Sequence, residues 1–157
     1  MFDLKNVRRV TKGDLSKIKV VIDETELFPS EMLASMIEPA FAEPECKDIW
    51  VTYIHDGEPV GFAFCEPERM TNGTWNVLAI GVLPTLQGKG VGNFLMSHLE
   101  KHLKNNGQTT LIVETSGLPE FEPTRKFYKK IGYTLEARIR DFYDKGDDKI
   151  VFWKSLQ

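Results

Sequence analysis

The chain predicts an α/β or α+β fold, helices around a central mixed sheet, within one domain over residues 1–157. Three observations lead there. Apolar residues recur at helical spacing in some segments and alternate at strand spacing in others. The two patterns interleave as βααβββαβαββ, the order of a layered domain around one mixed sheet. At one point a strand runs through alternating glycines straight into an amphipathic helix.

Each element follows from its own residues. Leu4, Val7 and Val10 sit among basic residues and suggest a short strand ending at Thr11. Thr11 or Asp14 then caps a helix carried by Leu15, Ile18, Val21 and Ile22. Ser30 caps a second helix whose apolar face is Met32, Leu33, Met36 and Ile37, with Pro39 and Pro44 expected to close it. From Ile49 the period falls towards two. Strands are expected at Ile49–Ile54 and Val60–Cys65, joined by a turn at His55–Pro59, and a third at Thr74–Val82. Val91, Leu95, Leu99 and Leu103 mark a helix to about Asn106, with Gly107 at its C-terminal cap. A short strand at Thr109–Val113, a helix from Pro123 to Gly132, and two strands around Tyr143–Asp148 complete the chain.

Composition narrows the function classes. Ten Phe, four Tyr and three Trp give ample core for 157 residues, so a folded domain is expected. Twenty Lys plus Arg against twenty-three Asp plus Glu leave a net charge of −3, which disfavours nucleic acid as a partner. No apolar run reaches membrane-spanning length, and Cys46 and Cys65 fit neither a metal-ligand nor a disulfide framework. A cytoplasmic location without metal or membrane is the expectation.

The chemistry concentrates in Ile80-Gly-Val-Leu-Pro-Thr-Leu-Gln-Gly-Lys-Gly-Val-Gly-Asn93. Glycines at the entry to a helix let backbone amides approach an anion, and the helix dipole favours negative charge there. A dinucleotide fingerprint beginning at Gly88 would need glycine where Asn93 stands, and a Walker loop would need Ser or Thr where Gly90 follows Lys89. What remains is Gln-x-x-Gly-x-Gly after a strand ending Val-x-Pro.

Val82–Gly92 closely resembles the pyrophosphate loop of the GNAT superfamily of acetyl-CoA-dependent N-acyltransferases. About 35 residues on, Arg125-Lys-Phe-Tyr-Lys-Lys-Ile-Gly-Tyr133 is similar to that family's Phe-Tyr-x-x-x-Gly-Phe signature, and the resemblance extends from about Leu4 to Leu156. It implies a mixed, mostly antiparallel central sheet flanked by helices, with acetyl-CoA as co-substrate and an amine as acceptor, either a small molecule or a peptide N-terminus. Ile80, Gly81 and Val82 would offer backbone groups to the pantetheine arm, with the Val82 amide polarising the thioester carbonyl. Gln87, Gly88, Lys89, Gly90, Val91, Gly92 and Asn93 would cradle the pyrophosphate. Tyr128 matches the general acid that protonates the departing thiolate. Homodimers are frequent in the family, so a homodimer is one expectation here.

The sequence departs from the family pattern in two places. Many members carry Glu six residues before the Val-x-Pro valine, where this chain has Asn76. The proton of the acceptor amine must go elsewhere, and Glu114 is the first candidate by resemblance to ribosomal-protein N-terminal acetyltransferases, with Glu66 second. Phe121 stands near where an Asn often contacts pantetheine, within a longer insert, Ser116–Pro123. Between Asp23 and Asp48, eight acids face Lys47 alone, which reads first as a solvated helix surface and second as a rim that would draw a cationic acceptor. Lys89, Arg125, Lys126, Lys129 and Lys130 cluster in the two motifs, where some could meet coenzyme phosphates. His98 and His102, four apart on one helix, read as a surface pair. A non-catalytic acyl-CoA-binding module is the alternative, supported by Asn76 and opposed by Tyr128.

Overall fold

A computed structural model describes residues 1–157. Seven strands form one sheet in the order β1-β2-β3-β4-β5-β7-β6. They are β1 (Val7–Arg9), β2 (Ile49–His55), β3 (Glu58–Pro67), β4 (Thr74–Val82), β5 (Thr110–Ser116), β6 (Thr134–Asp144) and β7 (Asp147–Ser155). Every pair is antiparallel except β4 with β5. The helices are α1 (Leu15–Thr25), α2 (Leu33–Ala42), α3 (Val91–Asn105) and α4 (Glu122–Lys130). The mixed, mostly antiparallel sheet with flanking helices is the architecture the sequence predicts.

Alternation along the strands divides the core in two. Val51, Tyr53, Ala63, Val77, Val113 and Phe152 pack with Val91, Leu95, Leu99 and Tyr128, the inward faces of α3 and α4. Trp50, Phe62, Phe64 and Ala79 point the opposite way, against Ile18, Val21, Ile22, Leu33 and Ile37 of α1 and α2. That second layer covers β2 to β4 only. Glu114 and Val151, which alternate with core residues on β5 and β7, therefore lie on a half-sheet with no helix over it, and β6 beyond them is exposed along its whole length.

Several boundaries differ from expectation: β3 runs Glu58–Pro67 and β5 continues to Ser116, each longer than its apolar run. Leu4–Asn6 form a 3-10 turn capped by the Asp3 carboxylate, leaving only Val7–Arg9 as strand. Pro39 lies inside α2, which continues to Ala42. A proline this late forfeits few helical bonds, and the burial of Leu33 and Ile37 holds the helix together. The start of α1 is as expected: Thr11 N–H donates to Asp14 Oδ2 at 2.8 Å. Arg8 adds a bidentate pair to Asp14 at 2.7 and 2.9 Å, and its guanidinium holds that carboxyl down at about 2.

Candidate active site

The site begins where two parallel strands part. β4 and β5 pair from Thr74 with Thr110 to Val77 with Val113, and no further. The cause lies one residue on: the β3–β4 register shifts so that Leu78 has no partner, and its side chain is 45% exposed. Such a bulge bends and twists the strand that carries it. Beyond it, β4 stays on β3 and leaves β5, opening a wedge. Leu83 N–H donates to Val60 O at 2.9 Å. By antiparallel alternation, the peptide groups of Ile80 and Val82 then face away from β3, into the wedge. Gly81 fills the opposite direction, because a Cβ there would stand 2.8 Å from Leu27 Cδ1.

The glycine loop closes the top of the wedge. Gly88 and Gly90 have φ of 77° and 90°, the left-handed region that disfavours side chains. Gly90 caps α3, and Phe94 N–H is the first to find a helical partner, Gly90 O at 2.9 Å. The amides of Gly88, Lys89, Gly90, Val91, Gly92 and Asn93 have no partner within the protein and stand at the positive end of a fifteen-residue helix. Gly92 serves packing, since a Cβ would lie 3.1 Å from the Phe127 ring of α4. Gln87 turns its side-chain amide back to Val82 O at 3.1 Å and ties the loop to the strand.

Tyr128 comes next to this loop through Phe127. It is 2% exposed, packed with Phe127, Tyr133 and Phe152, and burial raises its pKa further. Its hydroxyl makes no hydrogen bond within the protein yet is not sealed off, so the residual exposure falls on the oxygen. Ile80 and Val82 pack against the same cluster.

The opposite face of the wedge carries carboxylates. Glu114, one residue beyond the last β4–β5 pair, is bound to Lys149 at 2.9 Å, and Lys149 also lies 3.9 Å over the Phe142 ring. Asn76 lies opposite Glu66 of β3, and its Nδ2 donates to Glu68 Oε1 at 2.8 Å. The Glu66 carboxyl is pushed up by partial burial and by Asp48 and Glu68, against a smaller opposing pull from Arg69.

The sequence reading missed two roles. Arg125 donates to Ser116 O at 2.7 Å and Leu118 O at 2.9 Å, so it braces the insert and is not one of the cations free for phosphate. Lys126 pairs with Glu122. Lys149 gave no signal because its partner lies 35 residues upstream and meets it only through the β5–β7 register. Phe121, 40% exposed, stands on the short turn before α4. His98 and His102 are both shifted down by burial, and no set of three His, Cys, Asp or Glu is arranged to hold a metal. A cavity of about 310 Å³ between Arg9, Trp75 and His102 lies at the far end of α3 from the loop. No helix is long and apolar enough to cross a membrane.

A sheet split at a bulge, with the N-terminus of a glycine-capped helix at the open end, is the frame of the site. Residues 17–133 match the model of the acetyltransferase (GNAT) family, and the chain belongs to that family. It is 33% identical over 92 residues to a [ribosomal protein bS18]-alanine N-acetyltransferase of Haemophilus influenzae, a match that spans 59% of each chain. A GNAT-family acetyltransferase structure from Desulfovibrio desulfuricans superposes with a TM-score of 0.88 at 29% identity, covering 96% of this chain and 98% of that one. An aminoglycoside 6'-N-acetyltransferase solved with coenzyme A shares the fold, with a TM-score of 0.78 at 17% identity over 96% and 97% of the two chains.

Proposed function

We propose that the chain transfers an acetyl group from acetyl-CoA to a primary amine by direct attack within a ternary complex. The observation that carries this is the wedge between β4 and β5, with the unpartnered amides of Gly88–Asn93 at one end and the Tyr128 hydroxyl beside it. The loop from Gln87 to Asn93, Lys89 included, receives the pyrophosphate. The backbone of Ile80, Gly81 and Val82 receives the pantetheine arm as an added strand would be received, and an inward-facing amide polarises the thioester carbonyl.

The amine must shed a proton before it attacks. An alkylammonium with a pKa near 10.4 is neutral in only about one molecule in 2,500 at pH 7. Two carboxylates stand on the open side of the wedge for this step, Glu114 and Glu66. The nitrogen then bonds to the carbonyl carbon, the C–S bond breaks, the sulfur takes the Tyr128 proton, and the second proton leaving the nitrogen restores Tyr128. Holding both reactants in one cleft supplies a large part of the rate enhancement. The acids of α1, α2 and the segments after them suit a cationic acceptor, a small amine or a peptide N-terminus.

The test is Tyr128→Phe. Turnover should fall about 10²-fold or more while coenzyme A affinity, read by calorimetry, stays within about twofold. Unchanged turnover would remove Tyr128 from the acid role. Lost coenzyme binding would make it a packing residue.

A further inference from the structure

The open side of the wedge already holds a primary amine. Glu114 is the first residue of β5 beyond its last pair with β4, and its carboxylate binds the Lys149 ammonium at 2.9 Å. Lys149 pairs with Ser116 across the β5–β7 ladder, two residues along from Glu114, so both side chains stand on the same sheet face. That face is opposite the one packed by α3, α4 and Tyr128, and no helix covers it at β5 and β7. With the glycine loop of α3 receiving the coenzyme, the open face is the side left for an acceptor.

The amine is held in place there. The Lys149 side chain is 13% exposed, and its Nζ lies 3.9 Å over the centre of the Phe142 ring as well as against Glu114. Phe142 reaches it through an irregularity at the end of β6, where Arg140, Asp141, Phe142 and Tyr143 stand against Asp148 alone. Asp141 turns there with φ of 55°, and its N–H donates to Asp148 Oδ1 at 3.0 Å. No other ion-paired lysine is so placed. Lys154 is bound to Glu100 and the Ile131 carbonyl on the α3–α4 side, and Lys17 and Lys126 are more than half exposed. An amine fixed beside a bound acetyl group reacts as an intramolecular nucleophile, at an effective concentration that free amines do not reach.

We propose that Lys149 is itself an acetyl acceptor: with acetyl-CoA bound and no other amine present, the chain acetylates its own Lys149 Nζ, once per molecule. The inference rests on the acetyltransferase reading above. One ammonium proton leaves to solvent by way of the Glu114 carboxylate already bound to it. The neutral nitrogen attacks the thioester carbonyl, the N–C bond forms and the C–S bond breaks. The thiolate takes the Tyr128 proton, and the second proton leaving the nitrogen restores Tyr128. The net products are Nε-acetyl-lysine, free thiol and one released proton. Acetylation removes the charge of Lys149, so the ion pair is lost and the Glu114 carboxylate is left free on the open face for an incoming amine.

The experiment incubates the protein with acetyl-CoA and no other amine. Thiol release is followed with a chromogenic disulfide, and acetylated residues are located by mass spectrometry of proteolytic peptides. Tyr128→Phe and Lys149→Arg are treated alike, and wild type is also assayed with putrescine, spermidine, kanamycin and an alanine-initiated hexapeptide. Without amine, wild type should release about one thiol per chain and stop, with the acetyl group on Lys149 and none on Lys154. Acetyl already on Lys149 at isolation counts towards that equivalent. The rate constant should hold over an about tenfold dilution of the protein, because donor site and acceptor share one chain. Tyr128→Phe should slow the step about 10²-fold or more. Lys149→Arg keeps a cation for Glu114 but has no amine to acylate, and should give no burst. Coenzyme A affinity within about twofold of wild type marks both variants as folded. If an external amine is acetylated while Lys149 is not, or if Lys149 is labelled no faster than the exposed Lys126, as fast in Tyr128→Phe, or more slowly on dilution, Lys149 is not an internal acceptor although the transferase reading stands. If neither Lys149 nor any amine takes the acetyl group, the reading itself fails and the proposal falls with it.

Discussion

Asp14 is the residue whose role the sequence states most directly. Thr-x-x-Asp before an apolar helical pattern is a capping arrangement, and the reciprocal bonds between Thr11 and Asp14 are present. The Arg8 pair was hidden, because a residue six positions before Asp14 has no reason in sequence to fold back on it. Replacing Asp14 with Ala should cost roughly 1–2 kcal/mol of stability in urea melts at pH 7. The sign of the pH effect follows from the lowered carboxyl, at about 2 in the folded chain against an ordinary value near 4. The stabilisation is complete above the ordinary value and disappears as pH falls through about 2, so the difference between wild type and Asp14→Ala should shrink over that window. Tyr128 was legible through its motif. Its burial with an unbonded hydroxyl, which suits a donor kept protonated, required coordinates.

At the level of elements, the glycine loop and α3 are both readable, since each glycine and each apolar position carries a backbone consequence. Gly90 is the sharpest case. Its φ of 90° and its place at the cap mean that Gly90→Ala puts a side chain in the left-handed region, 3.4 Å from the Phe94 ring. Strain of roughly 1–2 kcal/mol should weaken acetyl-CoA binding about five- to thirtyfold with little change in kcat, as steady-state kinetics would show. A rise in neither KM nor Kd would separate the loop from the coenzyme. The bulge at Leu78 was not legible. Nothing in Asn76-Val-Leu-Ala79 forbids a regular strand, and the register shift arises because Val77 and Ala79 must satisfy different core layers on opposite faces. Pro39 misled for the opposite reason, because local propensity pointed to a stop that burial of Leu33 and Ile37 overrides.

The whole molecule turns on one asymmetry. Helices α3 and α4 back the α3–α4 face of the sheet, whereas α1 and α2 cover only β2 to β4 on the other, leaving β5, β7 and β6 open beside the wedge. The element order announced the fold class, but the strand order places β7 between β5 and β6, a crossover that no local pattern encodes. That crossover brings Lys149 to Glu114 and Phe152 to Tyr128. Phe152 is fully buried, its ring centre 5.5 Å from that of Tyr128. Phe152→Ala should destabilise the fold by roughly 3–5 kcal/mol in denaturant melts, and the variant that survives should lose turnover through a loosened Tyr128.

The most direct test of the central claim is thiol release from acetyl-CoA, followed with a chromogenic disulfide, in the presence and absence of each amine class. Release that requires one class of amine, yields coenzyme A and acetylated amine in equal amounts, and vanishes in Tyr128→Phe is the predicted result. Coenzyme bound tightly with no amine-dependent release from any class would contradict the account and leave a protein that binds acetyl-CoA without transferring its acetyl group.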